Sequence, residues 1–108
     1  MPTSVIDVTR MCNPYQQVFT FSTPVDEFLW SPSSSPVELW GYNISSEGDG
    51  EIQLLLGDGT PISPIIFVEP RALTSVGFSI PICKTKLGIK IKSNINDDYS
   101  IQLLGYML

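Results

Sequence analysis

The stretch VELWGYNIS (37–45), SEGDG (46–50), EIQLLL (51–56), GDGTP (57–61) and ISPIIFV (62–68) decides the fold class. Three short apolar segments rich in leucine, aromatic and β-branched residues alternate with turns of Gly, Asp, Ser and Pro, each supplying a backbone bend that a strand interior rejects. The pattern predicts three strands joined by two tight turns, with the acidic turn at 47–51 read as a solvated hairpin. Nothing in the block is laid out for chemistry.

Outward from this block, prolines at 2, 14, 24, 32, 36, 61, 64, 70 and 81 interrupt every window long enough for three helical turns. Strands are expected over residues 17–22, 25–30, 37–45, 51–56, 62–68, 73–82, 86–93 and 99–107. Eight short strands predict an all-β chain forming a single-domain antiparallel β-sandwich, with the jelly roll as one form of it. At 108 residues, 43% of them hydrophobic and 16% charged, the chain holds one core. Residues 1–16 are set apart as an extended N-terminal arm, and 17–108 form the sandwich domain.

Alternation assigns faces to these strands. Leu87, Ile89 and Ile91 are expected inside, with Lys86, Lys90 and Lys92 outside on the same strand. Val76, Phe78, Ile80 and Ile82 form a second inward row, and Pro81, which has no N–H for a ladder, marks an edge or bulge. Residues 52–56, apolar at four of five positions, suit a strand covered on both faces. LWGY at 39–42 echoes LLGY at 103–106, and each Gly-Tyr pair is read as a bend with the ring over a bare glycine.

A search for chemistry returns little. The chain has no histidine, which removes Ser-His and Cys-His catalysis and the commonest transition-metal ligand. Ser79 lacks the second glycine of a nucleophile elbow and reads as an outward strand serine. Cys12 and Cys83 are separated by 70 residues, far from any zinc or redox spacing, and read as two reduced thiols of a reducing cytoplasm. Arg10 near Cys12 does not make a reactive thiolate without a base. The acidic turn fails as a calcium loop because Ile52 and Asp58 stand where a glycine and a bidentate glutamate are needed. GDG at 57–59 has neither a following lysine nor a helix to make a phosphate loop. No catalytic residue, metal ligand or cofactor site is assigned. Trp30, Trp40 and Tyr42 would suit a sugar platform, although strand register with Ile44 favours core for Trp40 and Tyr42. Asn43-Ile44-Ser45 fits the glycosylation triplet.

Charge narrows the partners. A net charge of −5 argues against nucleic acid, whose phosphates call for clustered Lys and Arg. No apolar run is long enough for a membrane helix, and the N-terminus lacks the plan of a signal peptide, so a soluble, unprocessed protein is expected. Residues 84–108 carry four lysines against two carboxylates, whereas 1–83 carry two cations against nine carboxylates. Lys84, Lys86, Lys90 and Lys92 are therefore candidates for electrostatic docking, beside the plainer reading of a solvated edge. Val5, Ile6, Val8, Arg10 and Met11 of the arm are candidates for subunit or partner contact by strand addition.

The order of an L-x-G-Y strand, a polar glycine turn, an apolar strand ending in D-G-T, an I-x-x-I-I strand and a V-x-F-x-I-P strand resembles small β-sandwich accessory proteins of tailed bacteriophages. That group includes proteins that decorate or cement capsids. The resemblance rests on Leu39, Gly41, Tyr42, Leu54, Leu56, Asp58, Gly59, Ile62, Ile65, Ile66, Phe78, Ile80 and Pro81, and covers about half of the chain. It implies a nonenzymatic protein made in the host cytoplasm and placed on the capsid exterior of the virion. It further implies a homo-oligomer, with a trimer favoured, bridging neighbouring subunits of the major capsid protein. A receptor- or glycan-binding module of a phage tail or fibre is the alternative.

Overall fold

A computed structural model of the chain describes residues 14–108, with Pro14 and Tyr15 described by backbone alone. Its strands are β1 (Pro14–Phe21), β2 (Asp26–Trp30), β3 (Val37–Ser46), β4 (Gly50–Leu56), β5 (Ile66–Val68), β6 (Leu73–Gly77), β7 (Cys83–Thr85), β8 (Ile89–Ser93) and β9 (Tyr99–Met107). No helix occurs among the described residues.

The strands form two antiparallel sheets. Sheet A has the order β1-β9-β3-β6, with β7 also paired to β3, and sheet B has the order β2-β8-β4-β5. Because β6 and β7 pair with successive stretches of β3, they are one strand interrupted by a loop. Counted so, eight strands wind between the sheets in the order of a jelly roll, an arrangement that lets two sheets share one core. The expected all-β sandwich is therefore present.

The core follows from alternation. Leu39, Ile44, Ile52, Leu54, Ile89, Ile91, Ile95, Ile101 and Leu103 are fully buried, with Trp30, Tyr42 and Tyr99 beside them. Half-buried Phe19 and Phe21 of β1 pack against the cluster, and the Phe21 and Tyr99 rings lie 5.4 Å apart.

One irregularity explains the L-x-G-Y echo. The two segments lie side by side in sheet A, and their register slips between Leu39↔Gly105 and Gly41↔Leu104, leaving Trp40 as an extra residue. That bulge changes the parity of β3, so that Val37 and Leu39 before it and Tyr42 and Ile44 after it all face the core. A Cβ on Gly105 would sit 1.9 Å from the Glu38 carbonyl oxygen, and one on Gly41 would sit 2.6 Å from that of Val76. The glycines are needed because backbones close up around the bulge.

Four sequence-based expectations are corrected. The acidic turn is not a hairpin: β3 lies in sheet A and β4 in sheet B, so residues 47–49 carry the chain from one sheet to the other. The expected strand at 62–68 shrinks to Ile66–Val68, because Ser63 folds back on β4. Its hydroxyl accepts the Leu54 N–H at 3.0 Å and donates to the Pro64 carbonyl at 2.8 Å. The strand at 73–82 breaks after Gly77; residues 78–82 stand opposite the single residue Trp40, so Phe78 and Ile80 are exposed rather than inward. Pro81 does mark this break. Finally β8 starts at Ile89, after a crossing that leaves Leu87 exposed.

Smaller differences concern boundaries and cover. β1 starts at Pro14, so residues 14–16, given to the arm by sequence, are strand. In β4, Ile52 and Leu54 are buried while Leu55 is only half-buried, so cover on the second face is partial. The second turn of the opening block is as expected. Asp58 Oδ1 accepts the Thr60 N–H at 3.0 Å, the Gly59 N–H donates to Leu56 O at 2.9 Å, and Gly59 takes a φ of 94°.

Candidate functional site

Val5, Ile6, Val8, Arg10 and Met11, together with Cys12, lie outside the described residues. The lysines are described, and they do not share one strand face. Lys84 lies on β7 of sheet A, opposite Glu38 of β3. Lys86 is in the crossing between the sheets, where its carbonyl accepts the Ser33 N–H at 3.1 Å. Lys90 and Lys92 are on β8 of sheet B. The single strand expected from alternation fails because the chain changes sheets after Thr85, in a turn begun by the Thr85 hydroxyl accepting the Leu87 N–H at 2.9 Å.

Lys90 is already engaged. Its Nζ lies 3.4 Å from Asp26 Oδ1 and 5.6 Å from the centroid of the Phe28 ring. An exposed pair of this kind contributes little to stability. It does hold Phe28 and Lys90 in place on the outer face of sheet B.

The three aromatic residues considered for a sugar platform are separated. Trp30 is 2% exposed and Tyr42 6%, both in the core. Trp40, carried out of register by the bulge, is half-buried on the outer face of sheet A instead of in the core. It meets the Tyr106 ring edge-on at 5.7 Å, and its indole N–H donates to Glu38 Oε1 at 3.1 Å. The glycosylation triplet is tied into the sheet, where the Asn43 amide donates to Gln102 Oε1 at 2.9 Å.

Ser79 is exposed in the loop after β6 rather than on a strand. Cys83 is a free, half-buried thiol whose pKa is pushed up by burial, the reverse of what a nucleophilic thiolate needs. Among the described residues no three His, Cys, Asp or Glu side chains converge as metal ligands. Among the described residues there is no helix long and apolar enough to cross a membrane.

What sequence reasoning missed is a set of exposed apolar side chains along one side of the sandwich. There β5 closes sheet B and β6 closes sheet A. Phe67 is 77% exposed and Ile80 69%, with Ile65 and Phe78 also exposed. β6 (Leu73–Gly77) carries no charge, and β5 is only three residues long. On the opposite side β2 carries Asp26 and Glu27, the kind of charge that discourages another strand from pairing. The signal was present as IIF at 65–67 and FSI at 78–80, but period-two reading assigned the second segment to an inward row.

No protein-family profile matches the chain, and no curated protein matches it. Among solved structures, the insecticidal delta-endotoxin Cry8Ea1 of Bacillus thuringiensis is similar with a TM-score of 0.50 at 13% identity, over 85% of this chain and 20% of the toxin. The coat protein of Tobacco streak virus aligns with a TM-score of 0.47 at 11% identity, covering 88% of this chain and 86% of that one. The capsular polysaccharide assembling protein CapF of Staphylococcus aureus aligns with a TM-score of 0.45 at 15% identity, over 89% and 25% of the two chains. The chain thus spans about a fifth of the toxin and a quarter of CapF. At this identity the toxin likeness speaks for the β-sandwich fold alone.

Proposed function

We propose that this domain is a nonenzymatic structural protein of a virion, which decorates or cements a phage capsid by bridging neighbouring major capsid protein subunits. The observation that carries the reading is the uncovered apolar side formed by Ile65, Phe67, Phe78 and Ile80 on the strands and loops that close both sheets. Large apolar side chains left exposed at the edges of both sheets mark surfaces that a protein partner covers. The resemblance to phage accessory proteins supplies the setting, the capsid exterior.

In this reading the β5–β6 side lies against the shell; Lys84 on β7 adds charge beside it, and Lys86 in the crossing and Lys92 on β8 steer the approach from further off. Lys90 serves sheet B through Asp26 and Phe28. The arm residues Val5, Ile6, Val8, Arg10 and Met11 supply the contacts between copies in a symmetric trimer. Contact with two neighbours at once makes detachment depend on breaking both.

The test is rebinding to purified capsids stripped of the chain. The unaltered protein is expected to restore resistance of the capsid to heat, and the double variant Phe67→Ser with Phe78→Ser to lose rebinding by at least tenfold while remaining folded. Equal rebinding by the variant, or no rebinding by either protein, would sink the proposal.

A further inference from the structure

We propose that the cleft on the outer face of sheet A binds a neutral carbohydrate, a site that borders the β5–β6 side at Arg71 and Leu73 but contains none of Ile65, Phe67, Phe78 and Ile80. The cleft has a volume of about 790 Å³, within the roughly 300–1,000 Å³ usual for ligand sites. Its floor is one transverse row of residues, one from each of four adjacent strands. Thr20 of β1 lies opposite Ser100 of β9, Ser100 opposite Ser45 of β3, and Ser45 opposite Leu73 of β6. Pleating puts all four on the same face, so three hydroxyls and one apolar side chain are presented in line.

Charged groups stand at the rim. Arg71 Nε donates to Glu47 Oε2 at 3.2 Å, and Asp98 Oδ1 accepts the Ser22 hydroxyl at 2.8 Å. Arg71 has a φ of 58°, in the left-handed region that residues other than glycine seldom adopt, and its N–H is held by the Ser46 carbonyl at 2.7 Å. The guanidinium stands at the mouth with its side chain 83% exposed, paired to Glu47.

Valence chooses the ligand class. The Ser45 and Ser100 hydroxyls share one bond at 3.2 Å and keep lone pairs beyond it. The Arg71 fork keeps further N–H donors, and both carboxylates keep acceptor sites. A sugar hydroxyl, which donates and accepts at once, can donate to Asp98 or Glu47 while accepting from Arg71. Two carboxylates against one guanidinium disfavour an anionic ligand, and a neutral polyol can accept from Arg71 as well as donate to the carboxylates, which a donor-only cation cannot. Leu73, 69% exposed, offers an apolar surface to the C–H face of a sugar ring. Two residues further along the strands lies a second polar row, in which the Asn43 amide bonds Gln102 and the Ser75 hydroxyl donates to Asn43 Oδ1 at 2.6 Å. That row continues the face for a chain of more than one sugar.

The experiment is a titration of the full chain with a panel of neutral oligosaccharides of glucose, mannose, galactose and N-acetylglucosamine, and of uronic acid oligomers, read by amide chemical shifts. A neutral oligosaccharide is expected to shift the Thr20, Ser45 and Ser100 amides. Ser45→Ala combined with Asp98→Asn should weaken it at least tenfold, and Phe67→Ser with Phe78→Ser, which addresses shell docking, should leave it unchanged. Shift mapping on the unaltered chain decides the matter even if a variant folds poorly. No shifts in that row with any neutral member, or shifts with the uronic acid oligomers alone, would overturn the proposal.

Discussion

Gly105 shows how tightly single residues are held where sheet A bulges. Its missing Cβ leaves room for the Glu38 carbonyl, and an added methyl would fall 1.9 Å from that oxygen. Gly105→Ala is therefore expected to cost about 2–4 kcal/mol in urea unfolding, as overpacking against backbone does. Gly77→Ala, where nothing lies within 4 Å, should leave stability within about 0.5 kcal/mol. Equal effects at both positions would contradict the bulge as the reason for the L-x-G-Y glycines. Ionisation acts at the same scale. Burial raises the pKa of Tyr42, Cys83 and Tyr99, in Tyr99 with a smaller lowering by its hydrogen bond to Ser93 and a further rise from the Glu27 charge. These groups keep their protons in the folded chain after the unfolded chain has lost them. Stability is thus full below the unfolded values, about 8.5 for a thiol and 10 for a phenol, and falls as pH rises through the higher folded values. Thermal melts from pH 7 to 11 should show a falling midpoint above about pH 9, and a flat profile would contradict the burial of these groups.

At the scale of elements, β3 and β9 were legible because apolar residues recur every second position on each side of Trp40 and through Tyr99, Ile101 and Leu103, and because Pro36 and Gly48 mark the ends of β3. What stayed hidden was any change of period. Trp40 adds one residue to β3, and no local signal distinguishes that from an unbroken strand until β9 is placed beside it. The same limit hid the loop at 78–82, because FSI keeps the strand alternation after the chain has left the sheet. The single strand face expected for the four lysines is absent for a related reason, since a crossing between sheets looks in sequence like a strand that continues. Deleting Trp40 should turn Tyr42 and Ile44 out of the core and abolish the dispersed amide spectrum of a folded chain. Phe78→Ser with Ile80→Ser, both in the exposed loop, should change unfolding stability by less than about 0.5 kcal/mol. A large loss there would mean that the loop packs on the core.

For the whole molecule, the sandwich was readable from eight segments of strand pattern, whereas its surfaces were not, because exposure depends on which strands end each sheet. Jelly rolls serve many functions, so the fold supplies a rigid body and the surfaces must supply the role. Here the edges at β5 and β6 expose large apolar side chains, while at the other edge of sheet B Asp26 and Glu27 of β2 discourage strand pairing. The most direct measurement is cryo-electron microscopy of purified virions that carry this chain. The account predicts jelly-roll density on the capsid exterior, over joints between major capsid protein subunits, with Phe67 and Phe78 turned toward the shell. Particles without that density, or density with the β5–β6 side facing solvent, would contradict it.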